Sequence, residues 1–76
     1  MKLSELKVSG EGIVTAINSD ETTKNRLQSM GLTNGVKVKV IRLAPLGDPI
    51  EIELRGFYLA IRKKTAEKII IKEEKK

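Results

Sequence analysis

The sequence predicts an all-β domain with one inserted helix, in which five short strands curl into a small barrel. Two segments, residues 36–40 and 50–54, alternate apolar with charged side chains, a pattern typical of strands with one buried face. Ahead of them, Asn18-Ser19-Asp20 supplies the side-chain oxygens that begin helices. With 76 residues the chain has room for one modest core, so its sheet must curl to cover its apolar face.

The chain before the helix predicts one short turn and one strand. Ser4 is expected to cap a helical turn that ends before Gly10. Apolar residues occupy both alternating sets of residues 13–17, which predicts a strand buried on both faces, as in a sheet that closes on itself.

The helix is expected from about Glu21 to Met30. Acidic groups lie in its first turn, where the helix dipole favours negative charge. At its end, Gly31 can take a left-handed conformation that lets Leu32 fold back onto the helix.

The two alternating segments predict a β-hairpin. Asn34-Gly35 marks the turn that leads into the first segment. Lysines alternate with valines in the first segment and glutamates alternate with aliphatic residues in the second. Opposite charges can therefore pair across the two strands.

After the hairpin, Gly56 predicts a sharp turn into a strand over residues 57–62, followed by a helical turn at 65–68 and a last strand at 69–71. A helix after the first strand, with none between the third and fourth, favours an SH3-like barrel over an OB-like one. We assign residues 1–72 to a single SH3-like domain and residues 73–76 to a charged tail that frays. The predicted core comprises Ile13, Ile17, Leu27, Val38, Val40, Ile52, Leu54, Leu59, Ile61 and Ile69.

The composition excludes most enzyme classes. The chain has no histidine and no cysteine, so it lacks a histidine general base, a thiolate nucleophile and the ligands that zinc and copper prefer. Glu51 and Glu53 share one strand face at a spacing of about 6 to 7 Å, which suits display to solvent better than one metal site. We expect no enzymatic activity, no cofactor, no small-molecule substrate and no specific metal site.

Charge and hydropathy limit the location and the partners. The formal charge of +5 favours anionic surfaces. No apolar run approaches the roughly 18 residues of a membrane helix, and the N-terminus leads into no secretory hydrophobic segment. We expect a cytoplasmic protein.

The connection between the hairpin strands, residues 43–50, is the most distinctive segment of the chain. It contains both prolines, which together with Gly47 require a stiff, shaped turn. Two residues are enough to close a hairpin, so a longer rigid loop is a candidate contact surface. Its candidate partner-binding residues are Leu43, Pro45, Leu46, Asp48 and Pro49.

A set of short motifs spans nearly the whole chain: Leu3 and Leu6, Arg26-Leu27, Met30-Gly31-Leu32, Gly35, Ala44-Pro45-Leu46-Gly47-Asp48-Pro49, Gly56, Leu59-Ala60-Ile61-Arg62, Ala66 and Ile69. In this combination the chain resembles the ferrous iron transport protein A family, although Asn34 stands where that family often has a proline. The resemblance implies a small cytoplasmic SH3-like domain that accompanies a membrane ferrous iron permease with its own GTPase domain. It implies no catalytic residue, and contact with the inner face of the membrane only through that partner.

The leading hypothesis is an accessory or regulatory protein that docks on the cytoplasmic part of this permease. The alternative is a small basic barrel that binds nucleic acid or the ribosome through phosphate contacts from Lys37, Lys39, Arg42, Arg62, Lys63 and Lys64. Only Phe57 and Tyr58 are available for base stacking, so nucleic acid is not the expected partner. A third possibility is a relative of the SH3-like C-terminal domains of metal-dependent repressors, but this chain lacks their DNA-reading helix-turn-helix.

Overall fold

The computed structural model describes residues 1–74 and contains one antiparallel sheet of five strands, with one helix of nine residues inserted after the first strand. This confirms the predicted all-β class with an inserted helix. A short 3-10 helix, Leu3–Glu5, precedes the sheet. The other elements are β1 (Glu11–Ile17), α1 (Glu21–Ser29), β2 (Lys37–Leu43), β3 (Ile50–Leu54), β4 (Phe57–Ile61), α2 (Lys63–Ala66) and β5 (Ile69–Glu74).

The strands lie in the order β4-β3-β2-β1-β5, so consecutive strands are neighbours except where β5 returns to pair with β1. The predicted hairpin of β2 and β3 is present, with Val40 opposite Ile52 and Leu43 opposite Ile50. The N-terminus then covers the outer edge of β5. Lys2 forms a bridge with Ile70, and the N–H of Ile71 donates to the Met1 carbonyl at 2.7 Å.

Helix α1 begins and ends as its sequence predicts. The Asp20 carboxylate accepts a hydrogen bond from the Thr23 N–H at 3.2 Å, which satisfies a donor that the helix leaves free. At the other end, Gly31 has a φ of +102°. The N–H of Leu32 donates to the Leu27 carbonyl at 3.0 Å, the reverse turn of a Schellman cap that returns Leu32 to the core.

The cap makes the stability of α1 depend on pH. Hydrogen bonds from the Thr23 hydroxyl and N–H hold the pKa of Asp20 below its ordinary value of 3.8. A carboxyl with a lowered folded pKa stabilises the fold above the unfolded pKa and loses this contribution as the pH falls through the folded value. Asparagine caps helices about as well but does not titrate in this range.

We therefore expect Asp20→Asn to lower the free energy of unfolding slightly near neutral pH, and the difference from the parent to shrink as the pH falls below the ordinary carboxyl pKa of 3.8. Urea denaturation of both proteins at about pH 7 and about pH 2 measures this difference. A difference that is the same at both pH values would contradict the assignment.

The structure buries eight of the ten predicted core residues and adds eight more. The predictions for Ile13 and Leu59 were wrong in degree, since both are only half-buried. Ile13 lies opposite the exposed Lys37 and Lys72, and Leu59 lies on β4 at the end of the sheet. The additional core residues are Leu3, Leu6, Val14, Leu32, Val36, Ile50, Ala66 and Ile71.

A bulge in β1 explains which of its residues are buried. The register shifts between Val14 and Ala16, so that Val14 lies opposite Ile71 and Ile17 opposite Ile69. With strict alternation, Ile13 and Ile17 would share the buried face of the strand. The bulge inserts one extra residue before Ile17, so Val14 and Ile17 share that face instead. The strand is therefore buried mainly on one face, with Thr15 exposed, instead of on both faces as predicted.

The short helical turns differ from their predictions. Ser4 lies within the 3-10 helix and does not cap it, because the turn begins at Lys2, whose N–H donates to the Glu5 carboxylate at 2.7 Å. Helix α2 begins at Lys63, two residues earlier than predicted, with Arg62 as its N-terminal flanking residue.

The C-terminal strand is longer than predicted. It continues past the expected domain boundary at Lys72, since Glu73 pairs with Gly12 and Glu74 with Glu11 of β1. Residues 75 and 76, the rest of the predicted tail, lie outside the described residues.

Two groups of ion pairs link the strands. Arg42 lies 3.5 Å from Glu51 across the β2–β3 hairpin, so opposite charges do pair across these strands, but through Arg42 and not through the alternating lysines. Lys37 instead contacts Glu11 at 2.9 Å and Glu74 at 3.3 Å, and hydrogen bonding to Glu11 and then Glu74 raises its pKa. The cationic partners are exposed, Lys37 at 55% and Arg42 at 74%, while Glu11 is only 16% exposed. Solvent around the cations screens these pairs, so they contribute to register more than to stability.

Candidate docking surface

The loop between β2 and β3 is a folded turn closed by two backbone hydrogen bonds. The N–H of Gly47 donates to the Ala44 carbonyl at 2.7 Å, and the N–H of Ala44 donates to the Pro49 carbonyl at 3.1 Å. Pro45 occupies the second position of the inner turn, which its fixed φ favours. The peptide bond between Asp48 and Pro49 is cis. The loop is therefore held by its own backbone, as its two prolines predict.

Leu46, at the tip of this loop, is unusual both in its exposure and in its backbone conformation. Its relative exposure is 103%, so its side chain contacts almost nothing else in the chain. Its φ is +75°, in the left-handed region that costs a non-glycine residue about 1 to 2 kcal/mol. The loop thus holds an apolar side chain in water on a strained backbone. That side chain adds nothing to the stability of the fold.

The other predicted contact residues have different environments. Leu43, at the end of β2, is 45% exposed and lies at the base of the loop. Pro45 is exposed, while Pro49 is half-buried beside the core residue Ile50. The Asp48 carboxylate accepts a hydrogen bond from the Lys63 N–H at 2.9 Å, at the start of α2. Asp48 therefore has a structural contact, which leaves Leu43, Pro45 and Leu46 as the outward part of the loop.

The hydrogen bond between Asp48 and the Lys63 N–H places a basic segment beside the loop. Arg62, Lys63 and Lys64 follow β4 directly and are all exposed. Because Ile50 pairs with Ile61, the end of the loop and the start of this segment are adjacent across β3 and β4. An apolar tip beside several cations suits a protein or peptide surface that offers an apolar pocket with acidic groups near it.

Sequence reasoning missed one feature beside this surface. A groove of about 220 Å³ separates α1 from the end of β4 and is lined by Arg26, Leu27, Met30, Ala60, Ile61, Arg62 and Thr65. Met30 is 40% exposed there, although its helix contributes Leu27 to the core. The spacing of three residues between Leu27 and Met30 predicts that they share one face of the helix, but it does not indicate which strand end that face meets.

Residues 1–74 contain no group of three or more acidic side chains close enough to hold a metal ion. In the same range, no helix has the length and apolar character needed to cross a bilayer.

Comparison with known proteins decides the family. The sequence model of the FeoA domain matches residues 1–73 of this chain. The chain belongs to the FeoA domain family. This confirms the resemblance to ferrous iron transport protein A that the motifs indicate.

Two solved structures share the FeoA fold. The FeoA protein of Chlorobium tepidum is 45% identical with a TM-score of 0.89, over 93% of this chain and 68% of that one. The zinc complex of FeoA from Stenotrophomonas maltophilia, described as a procaryotic SH3 domain protein, is 22% identical with a TM-score of 0.83, over 95% of this chain and 89% of that one. The latter likeness supports the SH3-like fold alone.

A curated relative from Porphyromonas gingivalis (strain ATCC BAA-308 / W83) joins this domain to a second protein. It is an Fe(2+) transport protein A/Fe(2+) transporter FeoB fusion protein, 28% identical over 69 residues. The match covers 91% of this chain but only 8% of that relative. The FeoA domain is thus associated with ferrous iron transport.

Proposed function

We propose that this chain is an accessory or regulatory protein of a ferrous iron uptake system, which docks on the cytoplasmic part of the GTPase-bearing ferrous iron permease. The observation that supports this most is the relative in which a FeoA domain and a FeoB transporter form one chain. A covalent link keeps two domains at high effective concentration, so a separate chain with the same partner needs a surface that supplies affinity. The chain would act in the cytoplasm and reach the membrane through that partner.

The loop between β2 and β3, residues 43–50, is the proposed source of part of this affinity. Most of the binding energy at an interface comes from a few side chains that become fully desolvated in a pocket of the partner. Leu46 is fully exposed on a loop that is already rigid, so docking it costs little conformational entropy. Arg62, Lys63 and Lys64 beside the loop would orient acidic groups of the permease. The role is one of binding, without a catalytic residue.

We expect the double variant Pro45→Ala with Leu46→Asp to weaken capture of the permease by about tenfold or more, since it loosens the loop and puts a charge on its apolar tip. The free energy of unfolding should change by less than about 1 kcal/mol, because Leu46 packs against nothing. Binding is measured with the immobilised cytoplasmic region of the permease, and stability by chemical denaturation.

Lys72→Glu is a matched control, because it changes an exposed residue on the strand farthest from β4. If the double variant is folded and binds like the parent, the loop is only structural and the contact lies elsewhere. If the parent itself fails to bind permease but binds RNA with a steep salt dependence, the nucleic-acid alternative replaces the proposed function.

A further inference from the structure

The two end strands of the sheet differ in how their outer edges are covered. The edge of β5 is closed by the N-terminus through the bridge between Lys2 and Ile70 and the hydrogen bonds between Met1 and Ile71. No strand or bridge in residues 1–74 adds to the outer edge of β4. Strand β4 is therefore the open end of the sheet.

The register shows which backbone groups point toward this open edge. Strands β3 and β4 are joined by the two-residue turn Arg55-Gly56, both with positive φ, and Leu54 lies opposite Phe57. In such a hairpin the residues that flank the turn exchange both hydrogen bonds, and every second residue along the strand points its N–H and C=O away. Tyr58 and Ala60 therefore present the free donors and acceptors of β4.

Strand β4 itself contains no charged residue, proline or bulge. Open edges are commonly blocked by a charged residue, a proline or a bulge that prevents pairing with another strand. Strand β4 reads Phe-Tyr-Leu-Ala-Ile and pairs with β3 without a register shift. Phe57 and Tyr58 are each 65% exposed, which is unusual for large apolar surfaces unless they serve a contact.

The groove between α1 and β4 continues the apolar face of this edge. Its volume of about 220 Å³ is several times the roughly 30 Å³ of one water molecule in the liquid, so it has room for a side chain. Leu27, Met30 and Ile61 contribute its apolar wall. A strand added to β4 would direct alternate side chains toward this groove.

Cations lie at both ends of β4. Arg55 is exposed in the turn before it, and Arg62, Lys63 and Lys64 are exposed after it. One carboxylate, that of Asp48, lies among the three cations after β4, where it accepts a hydrogen bond from the Lys63 N–H at 2.9 Å. Glu51 and Glu53 lie one strand away on β3, where Glu51 contacts Arg42. An uncharged strand with positive charge at both ends is complementary to an extended segment with negative charge at both ends.

We propose that β4 binds an extended segment of another protein by strand addition, and that the segment has an alternating apolar core with acidic residues at each end. Backbone hydrogen bonds to Tyr58 and Ala60 would supply affinity, and the groove and the flanking cations would supply specificity. A second copy of this chain fits less well. Full antiparallel pairing of two β4 strands about Leu59 would bring Arg55 of each copy beside Lys63 of the other.

The chain offers a direct probe of this site. Tyr58 is its only tyrosine and it has no tryptophan, so intrinsic tyrosine emission reports on β4 alone. The ligand for the test is the synthetic peptide Asp-Glu-Val-Thr-Val-Thr-Val-Glu-Asp with blocked ends, which has no fluorescent residue. We expect the tyrosine emission to change saturably as this peptide is added. Replacing the four acidic residues of the peptide by lysine should weaken its binding by about tenfold or more.

Two further comparisons separate strand pairing from charge attraction. A peptide methylated on every backbone nitrogen of its Val-Thr core keeps its charges but loses its donors, and we expect its binding to fall by about tenfold or more. The double variant Arg55→Glu with Arg62→Glu should weaken binding of the unmethylated peptide to a similar degree. Lys72→Glu, on the opposite end strand, should leave it unchanged to within about twofold.

Three results would overturn the proposal. Equal binding of the methylated peptide would mean that charge alone holds it, and equal binding of the lysine peptide would exclude an acidic partner. Sedimentation that shows a dimer, with no peptide-dependent change in tyrosine emission, would assign the edge to a second copy. The probe is synthetic, so each result stands whether or not the chain docks on a permease.

Discussion

Replacing Ile52 by alanine is expected to lower the free energy of unfolding by about 2 to 5 kcal/mol, because the side chain is fully buried and its removal leaves a cavity. Ile52 lies in the middle of β3, opposite Val40 on one side and Leu59 on the other. The strands around it are fixed by pairing on both sides, so they cannot close the space. Urea or guanidinium denaturation measures the loss.

The matched control is Leu59→Ala, which removes an aliphatic side chain from the neighbouring strand. Leu59 is only half-buried and packs against the core from outside, so we expect a smaller loss of about 1 to 2 kcal/mol. Equal losses for the two variants would show that β4 is packed as tightly as the middle of the sheet. Since domains have only about 5 to 15 kcal/mol of stability, Ile52→Ala removes a large share of it.

The local parts of this fold were predictable from sequence because short-range patterns determine them. The valines of β2 alternate with lysines, and a single shift in register would put them in water. Helix α1 has its cap at Asp20 and its stop at Gly31, both fixed by the chain within a few residues. The proline loop was likewise predictable, since Pro45 restricts its own backbone.

The parts that sequence reasoning missed depend on contacts between distant residues. Leu3 and Leu6 are core residues because the first residues pair along β5, some seventy positions later. The burial of Val14 in place of Ile13 follows from a bulge that no local pattern in β1 announces. The same holds for the surface, where the bond from Lys63 to Asp48 and the open edge of β4 arise only once the strands are in order.

Leu46 offers a substitution that should weaken binding without lowering stability. Asparagine tolerates positive φ better than leucine does, so Leu46→Asn relieves strain that costs about 1 to 2 kcal/mol. No packing is lost, because the leucine side chain is fully exposed. We expect the free energy of unfolding to stay the same or to rise by up to about 1 kcal/mol.

If the proposed docking is correct, the same variant should bind the cytoplasmic region of the permease more weakly by about tenfold or more, because the amide cannot replace the leucine in an apolar pocket. Leu46→Met is the control, since it keeps an apolar side chain at the same φ and should retain most of the binding. A stabilised Leu46→Asn that binds like the parent would show that the exposed leucine is not the anchor. A variant that loses stability together with binding would show instead that Leu46 supports the loop. Strain that persists at a side chain without contacts is consistent with selection for binding, because folding alone would favour a residue that relieves it.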